Sequence, residues 1–303
     1  MANPHLEKNQ RYSRSRSLWI VFWAYVVALL VGGCVVYLTQ PLGPIYSVLL
    51  ADIAATFVIW GIGARLSNAS LYDPYWSVIP VAIAGYWWSL SGFDVGDSRK
   101  LLLMLVLTYW AVRLTGNWVV GWPNLSHEDW RYQDLRAKTG SAYQLVNLFG
   151  ICLFPTLIVF LGMLPAYIVL AEVHPPNPAF DLIPLVIGLG AVTIQWISDE
   201  QMRLFRKQNT DGDVVMKSGL WAWSRHPNYF GEVSMWLSLF LFAFSAAGLS
   251  ALWSSVGWLA MLGLFLFISI PMMDNRSAAK RPAFKAHMGQ SSAFFPWPPQ
   301  ATK

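Results

Sequence analysis

Long apolar runs separated by short polar breaks dominate this chain, and each run is close to the roughly 20 residues needed to cross a bilayer. They fall near Leu18 to Leu38, Tyr46 to Gly63, Ser77 to Leu90, Leu101 to Gly121, Leu145 to Leu170, Leu182 to Ser198, Val233 to Leu249 and Ala251 to Met272. With 55% hydrophobic and only 12% charged residues, the 303-residue chain carries about half the charge of an ordinary soluble domain. The expected fold is therefore all-α: a polytopic integral membrane helical bundle. The third and seventh runs are short or broken by polar residues, which leaves seven or eight transmembrane helices.

The basic residues give an independent test of this layout, because short cytoplasmic loops collect Lys and Arg. All but Arg99 and Lys100 of the 21 basic residues fall on one side of it, from Lys8 and Arg11 at the start to Lys303 at the end. Both termini are thus expected in the cytoplasm, and that parity favours eight spans. The pI of about 9.2 follows from the same asymmetry, and no soluble stretch has the interleaved basic and aromatic pattern of a nucleic-acid module. The basic segment RYSRSRS before the first run has no small-residue cleavage site after it, so it reads as the start of a membrane anchor. Cys34 and Cys152 lie in apolar runs and read as small buried hydrophobes, with no zinc or redox spacing.

Without repeats or long linkers, the chain reads as one membrane domain, 18–272, between a basic N-terminal tail, 1–17, and a C-terminal tail, 273–303. Its polar sequence gathers in the turn around LYDPYWS, the loop SHEDWRYQDLR, the stretch Gln195 to Glu232 and the tail. The loop has no HExxH spacing and reads as a mixed-charge, solvated helix rather than a metal site. Asp52 reads as a snorkelling or capping residue near the outer end of the second run.

Chemistry is concentrated between Gln195 and Glu232. Gln195, Asp199, Arg203 and Arg206 recur at intervals of three and four, so they share one helical face. Such a face suits a nucleotide, with amide and carboxylate groups toward ribose or carboxamide and a guanidinium fork toward phosphate. It equally suits a helix end with internal ion pairs and basic anchors in lipid head groups. The following GLWAWSRHPNYFGE supplies donors at Arg225 and His226, then Asn228, Tyr229 and Glu232 leading into an apolar run. A carboxylate at that position needs a partner or a polar cavity.

GLWAWSRHPNYFGE resembles the C-terminal signature of the steroid 5α-reductase-like family, in particular a mostly bacterial branch of unassigned substrate. In that family a helix carries an Asn, an Asp four residues on and an Arg seven further, all reaching NADPH. Gln195, Asp199 and Arg206 stand at those intervals, with an amide replacing an amide at Gln195. The family's Asn-Phe/Tyr-x-Gly-Glu element corresponds to Asn228, Tyr229, Gly231 and Glu232.

The resemblance implies a cofactor contact at Arg113, where Trp110 replaces the family's tyrosine three residues earlier and Tyr109 stands beside it. It implies a substrate carboxyl at Asp73, and it sets Arg276 and Lys280 where the family has a His and a Tyr against the cofactor. Arg225 and His226 fall within the same signature.

The function so implied is a membrane-embedded, NADPH-dependent reductase of the activated C=C bond of an apolar, steroid- or isoprenoid-like enone, with Asp73 and Tyr109 polarising the carbonyl. The substrate would enter from the bilayer, membrane lipids would surround the protein, and no obligate protein partner is indicated. The location would be a multi-pass membrane protein, of the plasma membrane in a bacterium, with the cofactor site on the cytoplasmic side. Related signatures occur in membrane methyltransferases. The alternatives are therefore an S-adenosylmethionine-dependent methyltransferase and a non-catalytic lipid-binding member.

Overall fold

A computed structural model describes residues 12–175, 177–209, 212 and 214–299. Lys8, Arg11 and Lys303 of the charge pattern, and most of the N-terminal tail, lie outside the described residues. Within them the chain is helical, with a single isolated bridge between Ser224 and Ser292.

The helices are α1 (Arg14–Thr39), α2 (Pro44–Leu66), α3 (Tyr75–Leu90), α4 (Ser98–Gly121), α5 (Trp130–Thr139) and α6 (Phe154–Ala171). They continue as α7 (Pro178–Gln208), α8 (Pro227–Ala247), α9 (Ser255–Leu264), α10 (Ile270–Lys280) and α11 (Pro282–Met288). Among the described residues, six helical segments are long and apolar enough to cross a membrane.

Local sequence chemistry sets the helix ends. Ser13, Asp97 and Asp129 cap α1, α4 and α5 by accepting from backbone N–H groups that have no partner in the first turn. Gly43, at φ 87°, turns the chain into Pro44, whose missing N–H suits the first position of α2. Gly248, at φ 58°, ends α8, and α9 then packs back against it.

Helix α6 lies at the centre and touches α2, α3, α8 and α9. Small residues bring these helices close, as expected where no water drives association. A Cβ on Gly257 of α9 would stand 2.1 Å from the Leu161 backbone, and one on Gly162 of α6 would stand 2.6 Å from the Trp236 ring. Helices α7 and α8 form the broadest contact, with Gly231 so near Ala191 that its Cβ would lie 2.6 Å from that carbonyl oxygen.

Helix α7 has 31 residues, a rise of about 46 Å. It is long enough to cross a bilayer and carry Gln195 to Lys207 onward at one end of the bundle.

That end gathers the polar elements. Arg14 of α1 donates to Val119 O at the end of α4 (2.6 Å), and Asn68 bonds Leu125 O and His127 O. Arg276 stacks on Trp130 with its guanidinium carbon 3.2 Å from the ring centroid. The other end holds the two basic residues that break the charge pattern. Arg99 pairs with Asp181 at 2.7 Å, which also accepts from Ser245, while Lys100 faces Asp94 at 4.0 Å.

Three expectations change here. Asp52 does not snorkel: it is 4% exposed and accepts from Tyr75 OH at 2.8 Å, because α3 lies across it. Cys34 is exposed on the outside of α1, whereas Cys152 is buried. The SHEDWRYQDLR segment does form a helix, yet it braces the bundle rather than standing in solvent. Glu128 accepts from Ala69 N and from Arg136 (2.8 and 2.9 Å), and Asp129 N donates to Ser70 Oγ.

Candidate functional site

The face expected on the seventh helix forms, but its main partner comes from α4. Arg113 donates through Nη1 to Gln195 Oε1 (2.7 Å) and through Nη2 to Gln195 O (3.1 Å) and Asp199. Asn117, one turn further along α4, donates to Asp199 Oδ2 at 3.0 Å. Asn228, in the first turn of α8, donates to Asp199 Oδ1 at 3.2 Å. Three helices thus converge on one carboxylate, and every donor to it is one that a carboxylate accepts strongly. The Asn117 contribution escaped the sequence reading, although its spacing of four from Arg113 is legible.

Gln195 itself is 1% exposed, and its Nε2 has no hydrogen-bond partner among the described residues. The close approach of Gly231 explains its burial: α8 presses against the Gln195 stem. Beside this network lies a cleft of about 350 Å³, lined among others by Tyr109, Arg113, Asn117, Trp196 and Asp199. Tyr109 bonds Thr193 of α7 at 3.4 Å and packs edge-on against Trp196. Arg206 is exposed two turns beyond Asp199, within electrostatic reach of it and with no side-chain hydrogen bond among the described residues. Arg203 pairs instead with Glu200 on its own helix, so the face offers one unengaged guanidinium rather than two.

Glu232 has the partners that its position demands. Trp110 Nε1 donates to Oε2 and Trp236 Nε1 to Oε1, each at 2.9 Å. Both indoles are 1% exposed and meet edge to face. Trp110 is thus a carboxylate holder.

Arg225 and His226 belong to a different network. Arg225 and His226 both bond Asp274 of α10, at 2.8 and 2.9 Å, and Arg225 also donates to Met288 O and Ser291 O. These bonds tie the tail to the start of α8 and engage within the protein both side chains, which the resemblance groups with the cofactor contacts. The signal that sequence reading lacked is Asp274, which is remote along the chain. Arg276 sits on Trp130, and Lys280 is exposed at the end of α10.

Asp73 takes its hydrogen bond from Tyr132 OH of α5, and no hydrogen bond joins it to Tyr109. Tyr132 is thus the phenol bonded to Asp73, a neighbour that spacing along the chain does not reveal. Burial pushes the Asp73 carboxyl up to about 6, with the Arg131 charge and the Tyr132 bond opposing that rise. Asp129, which also caps α5, is held below the ordinary carboxylate range: burial acts upward, and the bonds and charge of Arg131 outweigh it. Tyr229 links the two groups. Its ring stacks on His226 (5.1 Å), and it stands within electrostatic reach of Arg131, Asp199, Asp129 and Asp274. No group of three or more His, Cys, Asp or Glu suited to a metal ion occurs among the described residues.

A helical membrane bundle with one polar end is the class that fold and site define. The family described as "Protein of unknown function (DUF1295)" matches residues 59–290, and the chain belongs to it. An uncharacterised protein of Schizosaccharomyces pombe is 27% identical over 261 residues, covering 79% of this chain and 76% of its own. No solved structure matches. The matched region contains the whole Arg113, Asp199, Asn228 and Glu232 constellation, as well as Asp73.

Proposed function

We propose that this protein is a membrane-embedded, NADPH-dependent reductase of an activated C=C bond in an apolar enone, of the steroid 5α-reductase-like kind. The observation that carries the reading is the convergence of Arg113, Asn117 and Asn228 on Asp199 beside an open cleft, with Arg206 unengaged beyond it.

The residues fit the cofactor. Gln195 Nε2 is a buried amide donor without a partner, and Asp199 and Arg206 offer an acceptor and a phosphate-matching fork on one helix. The cofactor supplies a hydride when bound. Asp199 and Gln195 would hold its polar groups, Arg206 its phosphates, and Asn228 would orient Asp199. Arg113 keeps Asp199 in place, and Glu232 sets α4 against α8 through the two indoles.

At the substrate end, Tyr132 and Asp73 form a hydrogen-bonded pair able to stabilise the enolate charge that develops at the carbonyl and to supply a proton there. Tyr109 lines the cleft and would contact the ring system. Apolar helices around the site keep water from the hydride step and let the substrate enter from lipid.

Eight crossings suit this reading, since the 54-residue segment Pro227–Lys280 turns back at Gly248 and α3 adds a further apolar helix. Both termini and the clamp would then face the cytoplasm, at the plasma membrane in a bacterium.

Thermal unfolding of the detergent-solubilised protein tests the proposal, because a ligand that binds only the folded state raises the melting temperature. NADPH should raise it and S-adenosylmethionine should not. Arg206→Ala should weaken NADPH binding about ten-fold or more, as for a lost charge-assisted bond of about 1.5–3 kcal/mol. Stabilisation by S-adenosylmethionine alone would establish a methyltransferase instead, and a response to neither would favour a lipid-binding protein.

A further inference from the structure

A second cavity, of about 360 Å³, lies between α1, α2 and α3 toward the end of the bundle opposite the Asp199 site. Its walls are mostly small and apolar, including Ala28, Gly32, Gly33, Ala55 and Ile83, and Asp52 is the sole carboxyl among its lining residues. Asp52 stands eight residues into α2, about 12 Å from the helix start. Gly33 and Leu29, exposed on α1, mark where the cavity meets the outside of the bundle.

The surrounding buried hydroxyls are satisfied within the protein. Tyr75 OH bonds Asp52 Oδ1 and O, Thr56 bonds Thr156 at 2.8 Å, Thr156 bonds Tyr72 at 2.7 Å, and Tyr25 bonds Leu71 O at 2.8 Å. Only Asp52 keeps an unused oxygen: no hydrogen bond reaches Oδ2 among the described residues. A carboxyl at this depth is costly without partners and marks a site.

We infer that this cavity binds a lipophilic alcohol taken up from the bilayer, its hydroxyl on Asp52 and its hydrocarbon body along the small-residue wall of α1. A hydroxyl both donates and accepts, so it completes the carboxyl in either protonation state and brings no ion into the hydrocarbon. The apolar walls match the rest of such a molecule, and Gln40, Tyr37 and Tyr86 supply polar groups nearer the helix ends. This site shares no residue with the reductase reading and stands apart from it.

Photolabelling with a diazirine-bearing farnesol, beside its deoxy and amine counterparts, tests the assignment in nanodiscs without NADPH. The alcohol should label peptides from α1 to α3 in preference to both counterparts. Asp52→Asn and Asp52→Leu should cut that labelling, the latter about ten-fold, the scale of one buried hydrogen bond.

Gly33→Leu should block the cavity mouth while leaving the fold intact, since a Cβ there meets nothing within 4 Å. Its melting temperature should stay near that of the parent. Equal labelling by the deoxy compound, stronger labelling by the amine, or labelling unchanged in both Asp52→Asn and Gly33→Leu would overturn the inference.

Discussion

Trp110 of α4 donates its indole N–H to Glu232 of α8 at 2.9 Å, and Trp236, one turn along that helix, donates to the other oxygen of the carboxylate. The pair locks two helices that both also reach Asp199 of α7, through Arg113 and Asn228. A position that looks like the loss of a tyrosine in sequence is thereby a gain of a structural donor.

Trp110→Phe keeps the ring and removes the donor, leaving Glu232 Oε2 short of a partner. The expected loss is about 1–3 kcal/mol of stability, read as a lower melting temperature in detergent. Glu232→Gln should be milder than Glu232→Leu, because an amide oxygen still accepts from one indole.

Arg113 and Arg206 should separate structure from binding. Arg113→Ala leaves Asp199 without its cation and Gln195 without its donor, and breaking a largely buried pair costs about 3–5 kcal/mol. Arg206→Ala removes an exposed side chain and should leave the melting temperature unchanged while weakening NADPH binding. Paired melting curves with and without NADPH distinguish the two.

Asp73 gives a pH signature. Its native carboxyl titrates at about 6 rather than the ordinary 3.8, so between these values the folded state holds more protons than the unfolded one. Stability from this group is therefore full below about 4 and falls as pH rises to about 6. Asp73→Asn should lack that slope, which chemical denaturation across this pH range would reveal.

The tail should loosen when its anchor is cut. Asp274→Ala strands Arg225 and His226, and Arg225 is the side chain that holds Met288 and Ser291 of the tail. Limited trypsin digestion should then cleave after Lys280 and Lys285 at least several-fold faster than in the parent.

Gly231→Ala tests why the signature has a glycine there. The new methyl group would sit 2.6 Å from Ala191 O, a backbone atom that cannot swing aside. The variant should separate α7 from α8, and a marked loss of folded protein on size-exclusion chromatography is the expected readout.

The succession of apolar runs and the intervals within single helices were legible because both follow from local periodicity. That reading set a helical membrane bundle, placed Gln195 and Asp199 on one face, and singled out Asn228 and Glu232. Contacts between helices were not legible, since no local pattern says which helix lies beside which. Only the packing of α4 against α7 and α8 brought Arg113 and Asn117 to Asp199 and gave Glu232 its two indoles. Tertiary structure likewise moved Arg225 and His226 to the tail through Asp274, paired Asp73 with Tyr132, and buried Asp52 beneath Tyr75. The sequence determined which groups had to be satisfied in an apolar setting, and the packing decided with which partners, because a buried polar group takes whatever donor or acceptor its neighbouring helix presents.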